Sequence, residues 1–311
     1  LLEIEEGKHA EDCLDKADPE ERALVQYVLF GVLRWRGSLD KHIRQFVRRN
    51  PKKVVRNILR IAVFEHFFSR APTHALLHQA VELCKHVGKR NEAKFVNAIL
   101  RKVIEAELDR DPYNDLPEWL GKRWKKQKDW VESLREQPHF AFHYQSLERK
   151  SKSTRTEEAV SIGERSLALM SYPELKGRIS EQEGYDAGDW WIMNPAAAYP
   201  TELLSDVRDL SGLKALDMCA APGGKSFCLA SKGVEVIATD SSNRRLDVMK
   251  ENIDRLGFDI RLKCHDWVND YPSLGLFDIV VLDAPCTGTG VIRKHPEIKW
   301  RRTEKDILAA S

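Results

Sequence analysis

From Lys214 onward the chain alternates short apolar runs with longer amphipathic stretches, and this alternation constrains its fold more than any other feature. KALDMC (214–219), EVIATD (235–240), IRLKCHD (260–266) and FDIVVLDAPC (277–286) read as strands. The last is a near-continuous apolar run, as expected for a buried parallel strand. Between the second and third, Leu246, Met249, Ile253 and Leu256 recur at helical spacing, one face of an amphipathic helix. Strand–helix–strand alternation with short loops predicts a doubly wound parallel sheet.

In an open parallel sheet, ligands bind beyond the carboxyl ends of the strands. Each predicted strand here ends in polar residues with chemistry to offer. The first runs into the turn Cys219, Ala220, Ala221, Pro222, Gly223, Gly224, Lys225, whose glycines let backbone N–H groups approach a ligand closely. The second ends in Asp240, about 16 residues beyond Gly224, near the usual spacing for a carboxylate that receives ribose hydroxyls. The third ends in His265-Asp266 and the fourth in Asp283-Ala284-Pro285-Cys286. A phosphate-binding P-loop is excluded because Cys219 stands where that motif needs glycine, and no GxGxxG is present. A glycine turn without a ligand is the plainer alternative, and the acids ending the following strands weigh against it. Cys286, between Pro285 and the Gly288/Gly290 turn, is either an ordinary turn cysteine or a catalytic thiol. Its place beside Asp283 favours the second.

The first 105 or so residues lack strand-like alternation and carry helical periodicity, for example Ile58, Ile61, Phe64 and Phe68. The expected organisation is an all-α domain over 1–110, a linker helix with a small α+β segment over 111–192, and the α/β domain over 193–311. The turn-rich 111–117 marks the first boundary. Within the middle segment, 140–146 and 189–193 read as strands and SIGERSLALM (161–170) as a helix. The tryptophans of 118–134 stand among lysines and either stack on bases or pack against a neighbouring domain.

Residues 34–60 hold ten lysines and arginines against one acid, Asp40, which points to a polyanionic partner or a solvated helix face. Six scattered cysteines with no CxxC pair imply a reducing, cytoplasmic setting and no structural metal. No apolar run reaches the roughly 18–20 residues of a membrane span.

LDMCAAPGGKS (216–226) and DAPCTGTGVIRKHPEIKW (283–300) resemble the two most recognisable motifs of the RNA 5-methylcytosine methyltransferases. ERALVQYVLFGVLRWRGSLD (21–40) and KFVNAILRKV (94–103) resemble the domain related to the antitermination factor NusB, which precedes the catalytic part in the RsmB/Sun branch. The resemblance implies a Rossmann-like methyltransferase domain, incomplete at its C-terminus, preceded by an all-α NusB-like domain and a small α+β segment. It further implies methyl transfer from S-adenosyl-L-methionine to C5 of a cytosine in small-subunit (16S) ribosomal RNA. Carried onto this chain, residues 219–225 cradle the methionine end of the cofactor, Asp240 takes the ribose with Arg245 beside it, and Asp266 holds the adenine. Asp283 lies near the transferring methyl group. A thiolate adds at C6 of the base, and a base later removes the C5 proton. Cys286 helps release the product, whereas the nucleophile belongs to a later Thr-Cys motif. That motif is absent from 1–311, so the chain is expected to be an inactive fragment. Arg34, Arg36, Arg44, Arg48, Arg49, Lys52, Lys53, Arg293, Lys294 and Lys299 are the expected RNA contacts. The competing readings are a non-catalytic RNA-binding or ribosome assembly factor and a transfer-RNA methyltransferase.

Overall fold

The computed structural model describes residues 1–138, 140–146, 148–149, 158–162, 165–172, 178–269 and 274–310. They fall into two compact units, 1–137 with 286–311, and 138–285.

The first unit is helical. Short helices α1 (Leu2–Glu5) and α2 (Ala10–Leu14) precede the long α3 (Arg22–Arg44). Helices α4 (Lys53–Phe68), α5 (Thr73–His86) and α6 (Ala93–Val103) follow, then the short α7 (Glu118–Arg123) and α8 (Lys128–Ser133). The apolar stripes expected from the sequence meet in one core, with Val32, Leu39, Leu59, Val63, Val96 and Leu100 fully enclosed. Gly31 is the point of closest approach of α3 to α4: a Cβ there would lie 2.0 Å from the Phe64 ring.

The compact units cut the chain differently from the three expected segments. Residues 111–137 pack with the helices because buried Asp115 accepts the Ser38 N–H (2.8 Å), the Ser38 hydroxyl (3.0 Å) and Arg135 Nε (2.7 Å). The C-terminal stretch joins the same unit. Ile292 is buried among Leu116, Leu120, Val131 and Leu134, with Trp119 and Trp124 packed around them. Those tryptophans therefore pack. Lys299 donates to the Arg34 carbonyl (2.8 Å) and Trp300 to that of Leu33 (2.7 Å). An apolar turn with buried hydrogen-bonding tips outweighs the sequence proximity of 286–311 to the sheet.

The second unit holds two four-stranded sheets. One is antiparallel, with β1 (Phe140–Tyr144), β2 (Glu158–Ile162), β3 (Arg165–Tyr172) and β4 (Trp190–Ile192) in the order β2-β3-β1-β4. The helix expected at 161–170 is thus corrected to strand over 161–162 and 165–170, with 163–164 outside the described residues. Its Leu, Ala and Met residues suit a helix, but β3 lies between two partners and its backbone groups are satisfied by pairing with both. Helix α9 (Pro195–Val207) opens with Asn194 capping Ala196 N–H at 2.8 Å.

The other sheet is parallel, as expected: β5 (Lys214–Met218), β6 (Glu235–Asp240), β7 (Ile260–Cys264) and β8 (Ile279–Leu282), in the order β7-β6-β5-β8. Helices α10 (Gly224–Ala230) and α11 (Asn243–Leu256) connect its first three strands, and α11 buries the four periodic residues read from the sequence. The fourth strand, β8, closes the described sheet on the side away from β6. It pairs with β5 alone among the described residues, and Val280 and Leu282 are 59% and 61% exposed, so it is an edge and not a doubly covered strand.

Candidate active site

Strand order reverses between β5 and β8: β6 and β7 lie to one side of β5 and β8 to the other. That switch point opens a crevice at the carboxyl ends, where two consecutive connections leave in opposite directions. The residues that the sequence placed at strand ends lie along this edge, except Cys286, which belongs to the helical unit.

Immediately after β5 the chain turns through Cys219 in the left-handed region (φ 59°), a cis Ala221–Pro222 bond and Gly223 at φ 110°. A Cβ on Gly223 would lie 2.3 Å from the Phe227 ring, so both conformation and space demand glycine. The turn is held by Ala220 N–H donating to the Thr239 carbonyl and Gly223 N–H donating to the Ala220 carbonyl, both at 2.8 Å. Helix α10 then begins, leaving its first amide groups near the crevice.

Asp240 is buried at the end of β6. Its Oδ1 accepts the Ser242 N–H at 2.9 Å and pairs with Arg245 Nη2 at 2.7 Å. Its Oδ2 is buried with no hydrogen-bond partner among the described residues. A buried carboxylate oxygen left without a donor is costly, and a ligand hydroxyl would satisfy it. Asp266, beyond β7, accepts Val268 N–H (3.0 Å) on one oxygen and Asn269 Nδ2 (2.7 Å) on the other, which fixes its loop. Across the switch point, Lys225 of α10 pairs with Asp283 at the end of β8.

Three residues of this edge were missed. Asp217, in the middle of β5, is buried, and its carboxyl is pushed up to about 6 by that burial, partly opposed by the Ser226 hydroxyl donating at 2.6 Å. An acid inside an otherwise apolar strand was the available signal. Thr239 and Trp267 support the crevice from behind: Trp267 Nε1 donates to Thr239 Oγ1 at 2.8 Å, and Thr239 donates to the Asp217 carbonyl at 3.2 Å. Nothing local in sequence marks that pair. Burial and the neighbouring Asp240 charge push the Cys219 thiol up, so Cys219 is a poor nucleophile.

Residues 209–311, which span this edge, match the family model of the 16S rRNA methyltransferases RsmB/F. This C-terminal third thus resembles the RsmB/F methyltransferase domain. Residues 2–105 match the NusB family, so a NusB domain precedes the methyltransferase domain. The chain is 29% identical to ribosomal RNA small subunit methyltransferase B of Escherichia coli O157:H7, over 98% of this chain and 76% of that protein. The same figures hold for the protein of that name from Shigella sonnei. Among solved structures, the crystal structure of PH0851 shares the fold, with a TM-score of 0.70 and 21% identity over 95% of this chain and 73% of that one.

Cys286 falls in the helical unit, where it is exposed and its Sγ accepts the Gly288 N–H at 3.4 Å. The expected RNA contacts separate into two groups. Arg44, Arg48, Arg49, Lys52, Lys53 and Lys294 are exposed. Arg34 and Lys299 are not surface cations. Arg34 is buried over the Phe30 ring and donates to the Arg293 carbonyl (3.0 Å), and burial pushes its guanidinium down to about 10. Lys299 is fully enclosed and pushed down to about 7 by burial. Arg36 is occupied by Glu5 at 3.3 Å and by the Trp300 ring, and Arg293 by Glu136 at 2.9 Å. These side chains join the helices to the C-terminal stretch, a use invisible to a count of charges. Among the described residues, no helix is long and apolar enough to cross a membrane.

Proposed function

We propose that the crevice between β5 and β8 binds S-adenosyl-L-methionine and that the chain serves methylation of C5 of a cytosine in 16S ribosomal RNA, in the reducing cytoplasm. The observation that carries the cofactor is the buried, partnerless Oδ2 of Asp240 facing the carboxyl edge beside a glycine turn that admits no side chain. Asp240 would take the ribose hydroxyls, with Arg245 and the Ser242 N–H holding its other oxygen in place. The 219–225 turn would receive the methionine end on backbone N–H groups, and Asp266 the adenine amino group.

When bound, the cofactor supplies an electrophilic methyl group on a sulfonium. The chain's own residues orient and exclude. The Lys225–Asp283 pair positions a carboxylate and an amine on the β8 side, where a target base would enter. Asp217, held by Ser226, stiffens the strand under the turn. Cys286 would assist product release. The covalent step calls for a thiolate other than Cys286. The exposed Arg44, Arg48, Arg49, Lys52 and Lys53 would contact RNA phosphates.

Calorimetric titration of S-adenosylmethionine into the chain tests the reading. Micromolar binding is expected, weakened at least about tenfold by Asp240→Ala, a loss of roughly 1.4 kcal/mol or more. No binding by a folded chain would favour a non-catalytic RNA-binding role instead.

A further inference from the structure

A second cluster of reactive side chains lies in the core of the sheet-containing unit, outside the residues assigned to the cofactor. Strand β1 contributes His143, helix α9 Glu202 and helix α10 Cys228, and their donor atoms all lie within 4.8 Å of one another. His143 and Cys228 are buried and Glu202 nearly so.

The cluster is oriented like a ligand set. His143 Nδ1 lies 3.1 Å from the Tyr144 carbonyl, so Nε2 is the nitrogen left for the cluster. Against burial, Cys228 and Glu202 push the imidazole up to about 9, and an ion binding there would displace the Nε2 proton to solvent. The imidazole is stacked on Trp191 (centroids 4.4 Å apart, planes at 16°), which fixes its direction. Nε2 faces Glu202 Oε1 across 3.5 Å, too long for an ordinary hydrogen bond, and it has no hydrogen-bond partner among the described residues. The other oxygen of Glu202 is held by Lys232 at 3.0 Å, so Oε1 stays on the cluster. A second sulfur, Met193 Sδ, lies 3.4 Å from Cys228 Sγ.

We propose that His143, Glu202 and Cys228 bind a divalent ion of the zinc class, with the Met193 thioether or water completing four-coordination. Zinc bonds of roughly 2.0–2.3 Å in a tetrahedron place neighbouring donors about 3.3–3.8 Å apart. The His143–Glu202 distance already matches, and no pair of the three has more than about 1 Å to close. Imidazole, thiolate and carboxylate together select a borderline ion over magnesium or calcium, which take oxygen ligands. The two anionic ligands offset the dication, and the thiol proton of Cys228 leaves to solvent on binding. The ion would tie β1, α9 and α10 together, and α10 is the helix that begins at the Gly223 turn. Spacing rules could not reveal the site, because its ligands come from three separate elements and include no local pair.

The test uses the full 311-residue chain, reduced and stripped of metal, titrated with Co2+ and then Zn2+. One Co2+ per chain is expected, with a near-ultraviolet thiolate charge-transfer band and the intense visible bands of a tetrahedral ion, both lost as Zn2+ displaces it. Cys228→Ser should abolish the charge-transfer band, and Glu202→Gln should weaken Zn2+ binding by roughly 100-fold. Cys264→Ser, at an exposed thiol, should leave both unchanged, and circular dichroism confirms that each variant is folded. A charge-transfer band that survives Cys228→Ser, or a wild-type chain that binds neither ion, would overturn the proposal and leave His143 and Glu202 as a buried ion pair.

Discussion

Asp217 and Asp240 sit on neighbouring strands, both buried, and each has one oxygen without a hydrogen-bond partner among the described residues. They differ in what holds the other oxygen: the Ser242 N–H and Arg245 for Asp240, the Ser226 hydroxyl for Asp217. Burial raises the Asp217 carboxyl from 3.8 to about 6, so between those values the folded chain holds a proton that the unfolded chain has released. This contribution to stability is fully present below about pH 4 and is lost as pH rises through 6. Asp217→Asn should flatten that dependence, which amounts to at most about 3 kcal/mol, in urea denaturation midpoints compared at pH 4 and 7. An unchanged slope in the variant would show that Asp217 is ionised in the fold. The carboxyl-edge acids were legible in the sequence because each ends an apolar run. Asp217 was not singled out, because an acid within an apolar run is a weaker signal than one that ends it.

At the level of elements, periodicity identified the helices of the N-terminal third and the four parallel strands, since a single buried face imprints a regular spacing. It misread 165–170, where the choice between helix and strand was made by the partners flanking β3. The C-terminal stretch is the more consequential case. Its lysine and tryptophan anchor it to α3 through the carbonyls of Arg34 and Leu33. Lys299 has no carboxylate at hydrogen-bonding distance among the described residues, and burial lowers its ammonium from 10.5 to about 7. Between those values the unfolded chain binds more protons than the folded one, so stability should rise with pH through that window. The slope should reach at most about 1.4 kcal/mol per pH unit. Urea denaturation followed by tryptophan fluorescence at pH 7 and 9 measures it, and Lys299→Met should remove it. A wild-type slope that persists in the variant would assign the effect to another group.

For the whole molecule, the basic run of residues 34–60 is the feature that folding reinterprets most. Arg34, Arg36, Arg56 and Arg60 turn inward, and Arg60 is buried against Asp40 and Glu5 at 2.6 and 2.7 Å. What remains outside is Lys41 and Arg44 of α3, Lys53 of α4 and the loop between them, where Arg48, Arg49 and Lys52 line a groove with Phe46, Val47, Phe95 and Ile99. RNA affinity measured by fluorescence anisotropy should fall steeply with salt. Replacing Arg48, Arg49, Lys52 and Lys53 by glutamine should weaken binding and reduce the log–log salt slope by about 0.7 for each phosphate that is no longer neutralised. Arg34→Gln and Lys299→Gln should instead lower stability and leave the slope of the folded protein unchanged. The reverse pattern would return the buried pair to the RNA surface.

By itself the sequence determined the class of each half of the chain and which residue types end the parallel strands. Helical and strand spacings are local, and a glycine turn between a strand and a helix keeps its character wherever the sheet ends up. Only tertiary structure decided which cations meet solvent, that 286–311 packs with the helices, and that His143, Glu202 and Cys228 share one pocket. Burial depends on what is brought against a residue from far along the chain, and that is decided by packing, not by spacing.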